Sequence, residues 1–265
     1  MAAAIRAQRP DLDEGDAVLL GWCALAVLVS PSYHRRDLPR PRFEELLSSQ
    51  AAALCRSGAL PSAARQEPPE EPAASGLSHH SRREALLAAA IPLFKERGFQ
   101  LVSMEEIGAA AGIAGPSIYN HFASKTEILT AALHRETEVL HFALARELAE
   151  SRTPEEALRR VVHSYAALCG MHSSAVPLLV SELSTLPPER QQSAHQAQVD
   201  FVAECVALLR RCRPDLSESE APVAISAVLT MVLIVSRLPR SIRGTTPPGL
   251  VAALAMDALG VGDRR

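Results

Sequence analysis

Aromatic residues are scarce in this chain: only 4% of its 265 residues are Phe, Tyr or Trp, and it has a single tryptophan. Alternating runs of β-branched residues are also rare, and the apolar residues, 48% of the chain, recur mostly at spacings of three and four. This spacing places apolar side chains on one face of a helix, whereas a half-buried strand requires alternation. The sequence therefore predicts an all-α protein with one large or two modest cores.

The motifs of common enzymes and metal sites are missing. The chain contains no H-E-x-x-H, no G-x-S-x-G, no phosphate-binding loop and no dinucleotide fingerprint, so we predict neither an enzyme nor a bound cofactor. The five cysteines show no C-x-x-C spacing, which favours buried thiols in a reduced, cytoplasmic protein. His134, Glu138 and His141 share one face of a predicted helix, but the sequence indicates no fourth zinc ligand, and we predict no metal site.

Apolar runs long enough to cross a membrane are also missing. The two strongest runs, 17–29 and 221–235, are shorter than the roughly 20 residues required, and the first follows acidic residues instead of the basic segment of a signal peptide. We expect both to be buried helices and predict no membrane partner. The net charge of −3 gives no sign of polyanion binding, so any nucleic-acid hypothesis must rest on a local motif.

Composition divides the chain into segments. Residues 58–80 are rich in Pro, Ala and Glu and have few large apolar residues, which is typical of a linker. The segment before this linker, 1–57, contains two helical patterns, at about 13–29 and 42–56. After it we predict three short helices within 81–125 and a helical body over 126–262. The predicted helices that build the body run at about 125–150, 154–170, 173–185, 188–211, 217–236 and 247–259.

The stretch SMEEIGAAAGIAGPSIYNHFASKTEIL, 103–129, has the pattern of a helix-turn-helix. Ser103 and Glu106 have the spacing of a capping box, the helix should stop near Gly112, and Pro116 suits the first turn of the next helix. The predicted inner packing consists of Ile107, Ala110, Ile113, Ile118 and Phe122. The residues left to face outward are Ser117, Tyr119, Asn120 and His121, while Ser124 is a predicted N-cap.

These residues resemble the DNA-binding head of the TetR family of bacterial transcription regulators. The segments FKERGF, AAAGIAG, IYNHF and SKTEIL occur in the family's order within residues 82–130. The resemblance implies a TetR-like fold, with a helix-turn-helix head before a helical ligand-binding body. It also implies a ligand-responsive regulator, here expected to be a repressor, that a hydrophobic effector releases from its operator. The expected DNA contacts are Ser103, Ser117, Tyr119, Asn120, His121 and Lys125.

The body contains apolar residues suited to a small-molecule pocket. The candidate ligand contacts are Leu133, Tyr165, Leu168, Met171, Leu179, Glu182 and Phe201. Such a lining would suit a lipid, a sterol or an acyl thioester. An alternative function is a ligand-binding or protein-interaction module that has lost specific DNA binding, because residues 78–130 carry five basic and five acidic side chains.

An internal repeat links the two ends of the chain. After a shift of 204 residues, RAQRPDLDEGDA at 6–17 matches RRCRPDLSESEA at 210–221 at seven of twelve positions. The last two long helices of TetR-type proteins usually form the dimer interface, so 1–57 resembles the terminal pair of a first TetR unit, as if cut from a tandem regulator. We expect 13–29 and 42–56 to pack on 217–236 and 247–259 as an intramolecular pseudo-dimer. A homodimer through the last two helices is the alternative.

Overall fold

The structure is a computed structural model that describes residues 1–34, 38–60, 79–113, 115–171, 175–239, 242 and 246–262, where the regular secondary structure is entirely helical. The α-helices are α1 (Ala2–Gln8), α2 (Glu14–Val29), α3 (Arg40–Cys55), α4 (Arg82–Arg97), α5 (Met104–Ala110), α6 (Lys125–Glu150), α7 (Pro154–Gly170), α8 (Val176–Ser181), α9 (Pro188–Cys212), α10 (Glu220–Arg237) and α11 (Pro248–Leu259). Short 3₁₀ helices lie at Ser30–Ser32, Phe99–Leu101, Gly115–Asn120 and Leu183–Thr185.

Side-chain N-caps mark the start of four helices, α2, α5, α6 and α7. α6 begins after Ser124, whose Oγ accepts a hydrogen bond from the Glu127 N–H at 3.2 Å, as its predicted N-cap role requires.

The predicted helix 173–185 is wrong in extent, because only the six residues of α8 and a 3₁₀ turn are helical there. Residues 172–174 of that stretch, and most of the predicted linker 58–80, lie outside the described residues.

The described residues form two compact units. The hairpin unit takes its residues from Met1–Pro68, Ala143–Gly170 and Asp200–Arg265, and the head unit takes its residues from Pro69–Phe142 and Met171–Val199. Helices α6 and α9 each contribute residues to both units. The hairpin unit thus brings the beginning and the end of the chain into one core.

The core of the hairpin unit is built from two helix pairs. α2 packs on α3 and α10, and α3 also packs on α10 and α11, so the predicted packing of the two pairs is present. A buried polar contact joins them, because Gln50 Nε2 donates to the Ala224 carbonyl oxygen at 3.2 Å. A second contact lies just beyond the end of α3, where Ser57 Oγ is 2.5 Å from Asp257 Oδ2. Both α10 and α11 also pack on α7.

The first copy of the Arg-Pro-Asp-Leu repeat turns the chain from α1 into α2. Arg9 donates from Nε and Nη2 to the Asp11 carboxylate, at 3.0 and 2.8 Å. Its Nη1 donates to the Ser57 carbonyl oxygen at 3.0 Å, just beyond the end of α3. The arginine therefore closes the turn and satisfies a carbonyl at a helix C-terminus.

The second copy repeats this arrangement between α9 and α10. Arg213 donates from Nε and Nη2 to the Asp215 carboxylate at 2.8 and 2.6 Å, and from Nη1 to the Leu259 carbonyl oxygen at 2.8 Å. Gly260 follows with a φ of +65°, and a Cβ placed there would lie 2.3 Å from Arg213 Nη1. The repeat seen in the sequence is therefore a repeat of structure.

Two described helical segments, Glu14–Ser32 and Glu220–Arg237, are long and apolar enough to cross a membrane by length and composition. These segments are longer than the apolar runs 17–29 and 221–235 because they include flanking polar residues. Within the structure 78% of the second segment is buried, and so is 50% of the first. The expectation of buried helices thus holds for α10, whereas one side of α2 remains exposed.

Candidate nucleic-acid interface

The helix-turn-helix is held together by close approach of α5 to the 3₁₀ helix Gly115–Asn120. A Cβ at Gly108 would lie 2.2 Å from Ile118 Cδ1 and 2.7 Å from the Ile113 carbonyl oxygen, so only glycine fits there. Ile107, Ile113, Ile118 and Phe122 are buried, as predicted. Ala110 is exposed, contrary to the prediction, because the close contact is made two residues earlier, at Gly108.

The predicted capping box at the start of α5 is present. Ser103 Oγ accepts from the Glu106 N–H at 3.2 Å, and Glu106 Oε2 accepts from the Ser103 N–H at 2.8 Å. Arg97 donates to the other carboxylate oxygen of Glu106 at 2.6 Å. Hydrogen bonds from the Ser103 backbone, from Arg97 and from the Ser103 hydroxyl lower the pKa of Glu106 to about 2. The Ser103 side chain therefore fixes the α5 N-terminus.

The outer side of the Gly115–Asn120 helix presents polar and aromatic side chains. Tyr119 and Asn120 are exposed, and Ser117 and His121 are partly exposed. Ile118, on the opposite side, anchors the helix in the core of the head unit. A short helix with one side anchored and the other side polar can be presented to the edges of DNA bases.

Two arginines at the start of α4 support this helix, and sequence reasoning did not include them among the predicted DNA contacts. Arg83 Nη1 donates to the His121 carbonyl oxygen at 2.8 Å, and its guanidinium carbon lies 4.0 Å from the centroid of the Phe122 ring. Arg82 Nη1 lies 3.3 Å from Ser117 Oγ. The adjacent pair was visible in the sequence, but nothing in it indicated that residues 35 to 39 positions further on would be their partners.

Lys125, a predicted phosphate contact, makes hydrogen bonds inside the head. Its ammonium donates to the carbonyl oxygens of Phe99, Gln100 and Val102, at 2.8, 3.1 and 2.9 Å. An ammonium has three N–H groups, so all of them are used within the head. Lys125 therefore holds the Phe99–Leu101 turn against the start of α6.

Four of the predicted ligand contacts belong to the head unit. Leu133 is buried on α6, Met171 is exposed, and Glu182 is partly exposed. The side chain of Leu179 lies outside the described residues. The backbone near Met171 is tied to neighbouring helices, because the Met171 carbonyl oxygen accepts from Lys95 Nζ at 2.9 Å.

The other three predicted ligand contacts belong to the hairpin unit. Tyr165 and Phe201 are buried with ring centroids 5.8 Å apart, and Leu168 is partly exposed. Burial, together with interactions with Cys169 and Cys205, raises the pKa of Tyr165 well above its ordinary value. The structure thus brings Tyr165 and Phe201 together in one core.

A surface cavity of about 510 Å³ lies elsewhere in the hairpin unit. It is lined by Thr153, Pro154, Glu155, Arg211, Cys212, Gly260, Val261 and Gly262. None of the predicted ligand contacts lines it. Its walls combine a helix N-terminus with charged residues and are less apolar than the lining expected for a hydrophobic effector.

The two histidines of α6 lie in different surroundings. His141 Nε2 lies 3.0 Å from the Ala197 carbonyl oxygen, whereas His134 is exposed. In the part of the chain that the structure describes, no group of three or more His, Cys, Asp or Glu side chains is arranged to hold a metal ion.

The anchored short helix, the capped α5 and the exposed polar side define a helix-turn-helix protein of the DNA-binding class. Residues 86–132 match the model of the bacterial regulatory proteins of the tetR family. The chain is 30% identical over 144 residues to the transcriptional repressor KstR2 of Mycolicibacterium smegmatis, covering 51% of this chain and 70% of that protein. The chain belongs to the TetR family.

Two further proteins illustrate the extent of the similarity. The transcriptional activator FasR of Mycolicibacterium smegmatis is 34% identical over 89 residues, which cover 34% of this chain and 41% of FasR. The crystal structure of the TetR-family regulator PfmR from Thermus thermophilus covers 68% of this chain and 99% of its own, with a TM-score of 0.58 and 27% identity. The chain spans about half the length of several curated relatives that it matches.

Proposed function

We propose that this protein is a ligand-responsive transcription regulator, a repressor, whose head binds operator DNA. The observation that carries the proposal is the Gly115–Asn120 helix, which is locked through Ile118 and Gly108 while Tyr119 and Asn120 face outward. The similarity to a repressor and an activator with a helix-turn-helix supports transcription regulation. A protein in this role works in the cytoplasm.

We assign the DNA contacts by side-chain chemistry. Ser117 and Asn120 face base edges, where an amide can pair with adenine. Tyr119 and His121 contact phosphates, together with the backbone N–H groups at the Ser103 end of α5. Lys125 acts inside the head as a positioning residue, because its three donors already bind carbonyl oxygens.

The effector is a hydrophobic small molecule, such as a lipid, a sterol or an acyl thioester. The head unit contains a connection through which binding near Met171 would reach the DNA-binding helices. Lys95 of α4 donates to the Met171 carbonyl oxygen, and Glu136 of α6 accepts from the Ala175 N–H at 2.9 Å. An effector that displaces these contacts shifts α4 and α6 and lowers DNA affinity, and DNA lowers effector affinity by the same factor.

The assembly is an intramolecular pseudo-dimer resembling the C-terminal part of a tandem TetR regulator. In this proposal 1–57 stands in for a partner's dimerisation hairpin, 58–80 is a linker, 81–125 is the DNA-binding domain and 126–262 is the ligand-binding and dimerisation domain. Support comes from the paired arginine forks at Arg9 and Arg213 and from the packing of α2 and α3 on α10 and α11.

In vitro selection from random duplex DNA with the full chain tests DNA recognition. We expect enrichment of one motif that the protein binds in gel-shift assays. Asn120→Ala should lose about 5- to 100-fold in affinity for the selected duplex and discriminate less at one base pair. Tyr119→Ala should weaken binding to all duplexes alike, since a phosphate contact carries no sequence information.

The matched control is Tyr33→Ala, which removes another exposed tyrosine far along the chain from the head and should leave DNA binding unchanged. Lys125→Ala is not diagnostic, because it removes three internal hydrogen bonds. Failure of the full chain to enrich any motif at low salt would reject the regulator. It would favour the alternative, a ligand-binding or protein-interaction module whose nearly neutral head has lost specific DNA binding.

A further inference from the structure

One side of α2 carries an apolar stripe that is exposed at its C-terminal end and partly exposed before it. Val18, Trp22, Leu25 and Val29 follow one another at spacings of four, three and four residues, which places them on one helix face. Leu28 lies beside this stripe, with 43% of its surface exposed, and Leu25 is 36% exposed. We call Trp22, Leu25, Leu28 and Val29 the α2 face. Contiguous exposed apolar residues of this kind mark interaction surfaces more often than scattered single ones.

The internal repeat identifies the corresponding side of α10. The shift of 204 residues places Leu25, Leu28 and Val29 on Leu229, Val232 and Leu233. Those three residues are buried: Leu229 is 8% exposed and Val232 is 0% exposed. The corresponding residues are therefore buried on α10, in the second copy of the repeat, and exposed on α2, in the first.

The two copies differ in their contacts with helix α7. α7 packs against both α10 and α11. Its buried residues Leu158, Val161, Val162 and Tyr165 form an amphipathic side. α2 packs chiefly against α1, α3 and α10, and in the part of the chain that the structure describes no helix packs on it as α7 packs on α10.

We propose that the α2 face is a docking surface for an amphipathic helix of a partner protein, with the apolar pattern that α7 shows. The face is continuous with the α2–α10 interface, so a docked helix would extend the existing hairpin unit. This proposal rests on the helix repeat and does not depend on DNA binding.

Trp22 is the single tryptophan of the chain and lies in the α2 face, so its fluorescence reports occupancy directly. The probe is a synthetic peptide of residues 153–170 with Cys169→Ser. A hydrocarbon staple replaces the exposed side chains at positions 159 and 163 and keeps the peptide helical. Titrating the full chain with this peptide should give a saturable blue shift of tryptophan emission and reduced acrylamide quenching.

Two variants and a control locate the binding. Leu25→Asp and Leu28→Asp each place a charge within the face and should weaken the peptide at least tenfold, with unchanged helical circular dichroism. Val139→Asp is the matched control, since Val139 is 38% exposed on α6, as Val29 is on α2, and should bind the peptide as the parent chain does.

Three results would overturn the proposal. The first is no spectral shift at saturating peptide, or an equal shift with a peptide of scrambled sequence. The second is a shift that rises with protein concentration alone and disappears in Leu25→Asp, which would make a second copy the occupant. The third is a shift with phosphatidylglycerol vesicles and none with the peptide, which would make the face a membrane contact.

Discussion

At the scale of single residues, Gly260 shows how a missing side chain allows two helices to be linked. Its φ is left-handed, which disfavours any residue with a Cβ, and the guanidinium of Arg213 occupies the space that a Cβ would need. We expect Gly260→Ala to lower the free energy of unfolding by about 1–3 kcal/mol, because the variant must strain the backbone or displace the arginine. Urea unfolding followed by circular dichroism measures this change.

The matched control for that variant is Gly249→Ala in the first turn of α11. A Cβ at Gly249 meets nothing within 4 Å, and alanine has the higher helix propensity, so stability should be unchanged or slightly raised. Equal stability of Gly260→Ala and Gly249→Ala would show that the Arg213 contact contributes nothing.

Single residues also show which side-chain roles could be predicted from the sequence and which could not. Ser103 and Glu106 could be recognised because a capping box depends on residues three positions apart. The role of Lys125 could not be read in this way, because its partners lie 23 to 26 residues earlier and are backbone carbonyls that carry no mark in the sequence. Lysine can bind a phosphate or a turn, and only the fold decides between them.

At the scale of elements, the junction of α6 and α7 is held by the buried carboxylate of Glu147. It accepts from Arg160 Nε at 2.7 Å and from Ser164 Oγ at 2.8 Å, and it also pairs with Arg146. Burial alone would raise its pKa, but the hydrogen bonds from Arg146, Ser164 and Arg160 together outweigh burial and lower the pKa to about 2.

This lowered pKa makes the junction sensitive to acid. Because the pKa in the folded state lies below the unfolded value of about 4.3, the contribution of Glu147 to stability is present above that pH and is lost as the pH falls toward 2. Glu147→Gln should lower the free energy of unfolding at neutral pH by roughly 1–3 kcal/mol and flatten its pH dependence. Urea unfolding between neutral and acid pH measures both, and the exposed Glu189→Gln serves as control. A parallel pH profile for Glu147→Gln would contradict this role.

The elements themselves were largely predictable, for local reasons. Prolines at positions 154, 188 and 248 lie in the first turns of α7, α9 and α11, where a missing N–H costs nothing. α1 escaped prediction, and the short α8 was predicted as part of a longer helix. Seven or six residues contain too few turns for a periodic signal, and their helical state depends on packing against longer helices.

At the scale of the whole molecule, the packing of α2 and α3 on α10 and α11 leads to a prediction about mass. If the pseudo-dimer is the assembly state, the full chain should have a mass near 28.4 kDa by light scattering at micromolar concentration. A chain that begins at residue 79 lacks the first hairpin and should form a dimer through α10 and α11, because their apolar sides are then uncovered.

Self-association through the α2 face is a separate event, and Leu25→Asp distinguishes the two. A full chain that has twice the mass of the monomer and stays dimeric in Leu25→Asp would contradict the pseudo-dimer.

The pairing of chain ends was predictable from the repeat RPDL, since identical residues at both places indicated equivalent turns. The open side of α2 was not, because exposure depends on which helices cover it.

Covalent joining of the two hairpins also removes a constraint that every homodimer obeys. In an isologous interface a substitution appears twice, once on each side of a two-fold axis. Here Gln50 donates to the Ala224 carbonyl oxygen, but the shift of 204 places Leu254 and Leu20 at the mirrored positions, and both are buried apolar residues. One side of the interface therefore has a polar contact where the other side has an apolar one, an asymmetry that an isologous homodimer could not have.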